Sequence, residues 1–225
     1  MRPATADDAR AVADVQLAAR AAAAMPPGVH TDDEVRAWLS GRLAADEVWV
    51  AESDGVIVGY ARLTATWLDD LYVVPSQAGQ GVGSALLDLA KAQRPSGFCL
   101  WVFEMNVPAR AFYAHRGLVE LERTDGAGNE EKAPDIRMAW PGTEPITFYR
   151  GLIDEVDEQL GDLLARRAAL TSAVQAHKGE PSRDPEREQE IAAALAVRAP
   201  ALGPDRLARI VHAIITESID AATEI

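Results

Sequence analysis

The chain has 225 residues, 48% of them hydrophobic, and a formal net charge of -13 at pH 7. This acidic balance argues against a nucleic-acid partner, because phosphate binding needs a basic surface. The single cysteine, Cys99, excludes an internal disulfide and a cysteine zinc site, and we predict no metal site. The alanine-rich stretch near residues 21–24 is too short for a bilayer and no signal-peptide pattern opens the sequence. We therefore expect a cytoplasmic protein without a membrane partner.

Two kinds of pattern follow each other along the chain. Up to residue 141 strand and helix signals alternate, whereas no convincing strand appears after the Pro/Gly-rich segment 141–145. The sequence thus predicts an α/β domain over residues 1–142 and a helical domain over 143–225. In the first domain we predict helices over 7–20, 31–43, 83–92 and 107–115, and strands over 47–51, 56–63, 71–74 and 98–103.

A glycine-rich segment, residues 79–84, lies between the predicted strand 71–74 and the following helix. Glycines at such a turn let backbone N–H groups converge on an oxyanion at the positive end of the helix dipole, which favours a phosphate ligand. A nucleotide P-loop needs a lysine before Ser84, where Gly83 stands, and the third glycine comes too early for a dinucleotide fingerprint. A plain flexible turn is the alternative.

These features, with the opening residues 1–9 and the later segment 106–113 followed by Gly117, resemble the GNAT family of acetyl-CoA-dependent N-acetyltransferases. The resemblance covers about residues 1–141 and implies an α/β (α+β) fold with a mixed, mostly antiparallel sheet. It implies acetyl-CoA as co-substrate, with Tyr113 protonating the departing thiolate. Ala78 stands where the family usually has Gln or Arg, which should weaken cofactor binding. The cofactor-binding residues implied are Tyr72, Val73, Val74, Gly79, Gln80, Gly81, Val82, Gly83, Ser84, Asn106 and Tyr113.

The amine acceptor is less specified by the sequence. Asp69, Asp70 and Glu104 stand at strand ends, where a carboxylate can take a proton from an ammonium, although a carboxylate at such a position is more often simply solvated. His30 could line an acceptor pocket or lie on a surface loop. The acidic stretch 125–131 could select acceptors or simply keep a turn in water.

In the helical part, apolar residues recur in steps of three and four, the pattern of a buried helical seam. Arg167 occupies one step of this seam, and a buried guanidinium is costly unless it meets an anion. Lys178 lies about 20° from it around the helix and roughly 16 Å along it, whereas Arg150 is roughly 25 Å away. An antiparallel homodimer would bring the partner's Arg150 close. The seam consists of Ile153, Val156, Leu160, Leu163, Leu170 and Val174.

Polar residues also interrupt the apolar faces of the next two helices. Asp184 precedes Pro185 as an expected N-cap, and Glu188 falls on its stripe with Arg187 beside it. Ser218 interrupts the stripe of the last helix. Polar groups at core positions of several helices are typical of a ligand site inside a bundle, although a buried ion pair of Arg167 with Glu188 is the alternative.

These charged positions and their spacing resemble the all-helical AroQ class of chorismate mutases over about residues 147–222. The resemblance implies a three-helix domain that forms an intertwined homodimer and rearranges chorismate to prephenate, in aromatic amino acid biosynthesis from the shikimate pathway. The arginines would bind the carboxylates of the substrate, and Lys178 would donate to its ether oxygen. Asp184 and Glu188 would bind its ring hydroxyl. The implied substrate-binding residues are Arg150, Arg167, Lys178, Asp184, Arg187, Glu188 and Ser218, of which Arg150, Arg167, Lys178 and Glu188 are the implied catalytic ones.

A unimolecular rearrangement needs only orientation and charge stabilisation, so we expect no cofactor for this domain. Ala222 stands where the family has a Gln or Glu that shares the ether oxygen with the lysine. The sequence therefore predicts a bifunctional enzyme, and two alternatives stay open. The helical domain could act on aminodeoxychorismate or isochorismate, or it could be a non-catalytic dimerisation or sensing module for the acetyltransferase.

Overall fold

The computed structural model describes residues 1–178 and 184–223, without the side chains of residues 178 and 223. The chain divides into two compact units, Met1–Tyr149 and Arg150–Ile225. Within the described residues, none of the helices combines the length and apolar character that crossing a bilayer requires.

The first unit contains all four helices and all four strands predicted for it, and three further strands. Its strands are β1 (Arg2–Pro3), β2 (Glu47–Ser53), β3 (Val56–Leu63), β4 (Leu68–Val73), β5 (Phe98–Phe103), β6 (Val119–Thr124) and β7 (Asp135–Trp140). Its helices are α1 (Ala9–Ala22), α2 (Asp32–Ala45), α3 (Val82–Gln93) and α4 (Val107–His115).

The strands form two antiparallel sheets, β1-β2-β3-β4 and β5-β7-β6. The sheets meet at one parallel bridge between Trp67 and Cys99, where the Cys99 N–H donates to the Thr66 carbonyl over 2.9 Å. Further along, residues of both β4 and β5 line a common cavity instead of pairing with each other. The two central strands therefore start side by side and then separate.

Helices cover both faces of this arrangement. Val12 of α1 and Leu39 of α2 pack with Tyr60 of β3 in one apolar cluster. Leu86 of α3 packs with Phe98 of β5 in the other. These buried residues recur on one side of each element, so burial of the apolar stripes fixes α3 and α4 beside the gap between β4 and β5.

The sequence predicts β3, β5 and α4 with their observed bounds but misses β1, β6 and β7. Strand β6 is exposed along nearly its whole length and carries two glutamates and an arginine, and its apolar–polar alternation extends only over residues 119–122, which is too short to mark a strand. It is held instead by pairing with β7, whose Ile136 and Met138 are buried. This sheet is therefore stabilised by pairing between segments that are distant in sequence, rather than by a hydrophobic pattern within each segment.

The second unit consists of α6 (Pro185–Arg198) and α7 (Pro204–Thr223) with most of α5 (Pro145–Lys178). Helix α7 buries Leu207, Val211, Ile215 and Ser218 on one stripe. The seam of α5, which we expect an antiparallel homodimer to bury, is exposed within one chain: Val156 is 59% exposed, and all its other apolar members are exposed too. Within one chain α6 and α7 do not cover these apolar residues, whereas Arg167 is half-buried.

The turn between β6 and β7 depends on one glycine. Gly126 has a φ of +79°, and a Cβ built there would overlap the Ala133 backbone. We expect Gly126→Ala to lower the free energy of unfolding of the first unit by roughly 2–4 kcal/mol, because both strain and overlap oppose it. Gly28→Ala is the matched control, since a Cβ there has open space. All five tryptophans lie before residue 150, so fluorescence in urea reports this unit; equal stability of the two variants would contradict the expectation.

Candidate functional site

A cavity of about 1350 Å³ opens in the first unit where β4 and β5 separate. One end of the cavity is formed by the turn before α3 and by α4, and the other end by the last residues of α1 and the loop between β6 and β7. It is long enough to contact all of these elements, so an extended ligand fits it better than a compact one.

The glycine turn forms one end of this cavity as the phosphate hypothesis predicts. Gly79 and Gly81 have φ values of +75° and +89°, and a Cβ at either would meet nothing within 4 Å. The glycines are therefore needed for the backbone conformation and leave the surface open. The Ala85 N–H donates to the Gly81 carbonyl over 3.0 Å as the first bond of α3, so the preceding amides of its first turn have no helical acceptor. They are available to an anion.

Most of the residues predicted to bind the cofactor line the cavity, and three do not. Val74 donates its N–H to the Val58 carbonyl over 2.9 Å, Gln80 donates its side-chain amide to the Ser76 carbonyl over 2.9 Å, and Val82 packs on the core. Their contribution is thus to hold the turn. The predicted residues that line the cavity are Tyr72, Val73, Gly79, Gly81, Gly83, Ser84, Asn106 and Tyr113.

Tyr113 reaches the cavity from α4. Asn106 begins this helix, its Oδ1 accepting from the Ala109 N–H over 3.2 Å, and Tyr113 follows two turns later with 9% of its surface exposed. Burial, with smaller contributions from Tyr72 and Asp70, raises the pKa of the Tyr113 phenol. A phenol held protonated in this way can donate a proton and cannot act as a base at neutral pH.

At the opposite end of the cavity, Arg20 of α1 pairs with Glu131 over 2.9 Å. Arg20 also interacts with the Tyr72 hydroxyl, and burial raises the Tyr72 pKa to about 12. The sequence analysis considered the acidic stretch 125–131 but did not predict the pair of Arg20 with Glu131. Arg20 and Glu131 are far apart in sequence, and only the fold shows that they meet.

Only two of the three candidate bases lie at the cavity. Asp69 and Asp70 line the cavity, and Asp70 is buried against Arg62, which donates Nε–H to it over 2.5 Å. Burial outweighs this contact and raises the Asp70 pKa. Arg62 also pairs with Asp46 over 2.8 Å and lies over the Trp38 ring. Asp70 is therefore part of a buried ionic cluster.

Two other candidates for the acceptor end lie elsewhere. Glu104 pairs with Arg123 over 2.8 Å and His30 with Glu130 over 2.9 Å, and neither Glu104 nor His30 lines the cavity. Of the two interpretations of His30, the surface-loop histidine is the one observed, because its side chain is 53% exposed and pairs with Glu130.

In the second unit the structure brings Arg167 to Ser218. Arg167 Nη1 donates to Ser218 Oγ over 2.7 Å and to the Ile214 carbonyl over 3.3 Å, and the Ser218 hydroxyl donates to the same carbonyl over 2.6 Å. Among the residues described, no carboxylate forms an ion pair with Arg167, so the alternative of an Arg167–Glu188 pair is not what is observed. The guanidinium is half-buried with neutral partners only.

The predicted residues of α6 lie around its first turns. Asp184 caps the helix, its Oδ1 accepting from the Arg187 N–H over 3.0 Å, as predicted. The Glu188 carboxylate is largely buried and lies 3.8 Å from His212 Nδ1. Arg187 and Arg150 are exposed, and the Lys178 side chain lies outside the described residues.

A further polar group on α5, the side chain of Gln175, was not predicted from the sequence. Gln175 is half-buried two turns beyond Arg167, and its Oε1 is buried without a hydrogen-bond partner in the described part of the chain. Glutamine is common on helix surfaces, so nothing in the sequence singles it out.

Comparison with known proteins identifies both units. Residues 44–120 match the family Acetyltransferase (GNAT) domain, and residues 149–223 match the family Chorismate mutase type II. An N-acetyltransferase from Archaeoglobus fulgidus is 33% identical over 108 residues, which cover 41% of this chain and 72% of that protein. A peptidyl-lysine N-acetyltransferase, YjaB, from Salmonella typhimurium is 29% identical over 109 residues, covering 48% and 74%.

A solved structure shows the same fold for the first unit. The acetyltransferase yncA from Salmonella typhimurium, determined with its cofactor acetyl-CoA, superimposes with a TM-score of 0.50 at 22% identity, covering 62% of this chain and 91% of that one. The chain therefore belongs to the GNAT acetyltransferase family and carries a chorismate mutase type II domain after its acetyltransferase domain. The predicted fusion of two enzymes is confirmed, and the alternatives are not favoured.

The Arg20–Glu131 pair gives a prediction for the stability of the first unit. We expect Glu131→Gln to lower its free energy of unfolding by about 1–3 kcal/mol, because a largely buried guanidinium loses its charged acceptor. The control is Glu130→Gln, which removes an exposed pair and should cost no more than about 1 kcal/mol. Urea unfolding followed by tryptophan fluorescence compares them, and equal losses in both would refute the assignment.

Proposed function

We propose that the first unit transfers an acetyl group from acetyl-CoA to an amine within the cavity between β4 and β5. The observation that carries this is the glycine turn with open, unpaired amides at one end of an elongated cavity whose walls are separated strands. These features fit a ligand with a diphosphate at one end and a pantetheine arm. The acetyl-CoA in the similarly folded yncA supports the proposal.

The binding roles follow from the geometry. The first-turn amides of α3 and the turn at Gly79 and Gly81 hold the diphosphate, and the backbone of Tyr72 and Val73 faces the gap where the arm lies. When bound, acetyl-CoA supplies the acetyl thioester. Asn106 fixes the start of α4 and so the position of Tyr113.

Tyr113 donates its phenolic proton to the sulfur that leaves. The raised pKa keeps that proton in place until a thiolate, a stronger base than water, develops beside it. The acceptor enters at the other end, past Asp69 and Glu131, whose carboxylates favour an amine and can take its proton directly or through water.

Replacing Tyr113 by Phe tests this role. We expect kcat for acetyl transfer to fall about 100-fold, because general-acid catalysis is lost, while the KM for acetyl-CoA changes less than about twofold. Tyr60→Phe is the matched control: it also removes a buried hydroxyl, bonded to Gln16 over 2.7 Å, but outside the cavity. An unchanged kcat in Tyr113→Phe, or the same loss in both variants, would contradict the role.

We also propose that the helical unit converts chorismate to prephenate, with Arg167 at the centre of the site. Its guanidinium lies half-buried against neutral partners, and a substrate carboxylate would supply the missing charge. Lys178 would donate to the ether oxygen, Asp184 and Glu188 would bind the ring hydroxyl, and Arg187 would contact a carboxylate. Such a site holds a compact conformer and stabilises developing charge, so it needs no cofactor.

The site is completed by a second copy of the chain. The seam of α5 is exposed from Ile153 to Val174, and Leu163 is 61% exposed, which is costly for one chain in water. An antiparallel α5 pair would cover both seams in a self-complementary interface. It would also bring the partner's Arg150, roughly 25 Å from Arg167 along the same helix, to the site. We therefore propose a cytoplasmic homodimer that acts on chorismate, a product of the shikimate pathway.

Subunit complementation tests the shared site. Arg150→Ala and Arg167→Ala should each reduce prephenate formation roughly 100-fold. Co-expressed in equal amounts, they should recover about a quarter of the wild-type rate, because half of the dimers are mixed and each mixed dimer has one intact site. Arg166→Ala, an exposed neighbour, is the control and should retain the wild-type rate. A mixture no more active than its components would refute a site built from two protomers.

A further inference from the structure

One arginine of the first unit lies in an unusual place, at the beginning of helix α3. Arg116 ends α4, and its Nη2 hydrogen-bonds the hydroxyl of Ser84 in the first turn of α3. Its guanidinium carbon lies 5.3 Å from the centroid of the Phe112 ring, so the two side chains are in contact. Arg116, Ser84 and Phe112 line the same cavity as the glycine turn.

This position is unfavourable for a cation by itself. The beginning of a helix carries partial positive charge from its unpaired amides, and a second positive charge there is repelled. Within the described ranges, no carboxylate lies at ion-pair distance from Arg116. Other arginines of the unit that contact the cavity or its walls do have such partners: Arg20 pairs with Glu131 and Arg62 with Asp46 and Asp70.

The missing partner is thus an anion that can enter between Arg116 and the amides of α3. Ser84 and the Phe112 ring orient the guanidinium but leave its charge uncompensated. A diphosphate suits this space, because a planar guanidinium binds two phosphate oxygens at once while backbone amides bind the others. Such a contact would offset the repulsion from the helix end.

We propose that Arg116 is a binding residue for the diphosphate of coenzyme A, supplying the charge that position 78 does not. Ala78 lines the same end of the cavity and offers only a methyl group. The inference rests on the proposed acetyl-CoA site and adds one residue to it. It implies that the turn before α3 works without a cationic side chain of its own, since the cation comes from the end of α4.

The test measures how Arg116→Met changes affinity for three probes: coenzyme A, 3′-dephospho-coenzyme A, which keeps the diphosphate, and pantetheine, which has no phosphate. Methionine keeps the contact with Phe112 and removes the charge. We expect the first two to bind about tenfold more weakly and by the same factor, because one charged contact is lost, and pantetheine to bind unchanged. Displacement calorimetry gives all three dissociation constants.

Arg123→Met is the matched control, because Arg123 is exposed and pairs with Glu104 outside the cavity; it should leave all three affinities at wild-type values. Unchanged affinity for coenzyme A in Arg116→Met would overturn the inference. So would an equal loss for pantetheine, which indicates a structural role, or a loss for coenzyme A alone, which indicates the 3′-phosphate. Failure of the wild-type chain to bind coenzyme A would instead overturn the proposed cofactor site.

Discussion

Strands β4 and β5 are joined at the bridge between Trp67 and Cys99 and then separate, and the first unit depends on this separation. Had the strands stayed paired, one continuous sheet would have filled the space that is now a cavity. Their separation exposes strand backbone to a ligand and places the glycine turn at one end of the opening. Helix α4 then closes the side of the gap and brings the buried Tyr113 into it. The cavity, and the position of the phenol that we propose as proton donor, thus follow from one interruption in strand pairing.

The parts of this unit that local sequence determines were predictable. Helix α4 was predicted with its observed bounds, since Asn106 caps it and Pro108 suits its first turn, and the turn at Gly79 and Gly81 follows from its glycines. The acceptor end was not predictable, because it depends on Glu131 meeting Arg20, and on strand β6, which is held by its pairing with β7.

In the helical unit, the spacing along α5 separates Arg150 from Arg167 but does not show that Arg167 meets α7. A one-dimensional pattern assigns residues to stripes of α5 and cannot say which stripe meets α7 and which is left for a partner. In the structure Arg167 turns toward Ser218, whereas the apolar seam is exposed. In the proposed function an anion meets the guanidinium and a second chain covers the seam. Because residue 222 is alanine, Lys178 is left as the donor to the ether oxygen in the proposed site.

We propose that each chain contains a complete acetyl-CoA site, whereas the mutase site needs residues from two chains. The most direct test dilutes the purified protein through the concentration at which sedimentation shows dimers becoming monomers. Prephenate formation and acetyl-CoA binding are measured per chain at each step. Our account predicts that prephenate formation per chain falls with the dimer fraction, while acetyl-CoA binding per chain stays constant. Mutase activity that persists at full value in monomers, or no prephenate at any concentration, would contradict it.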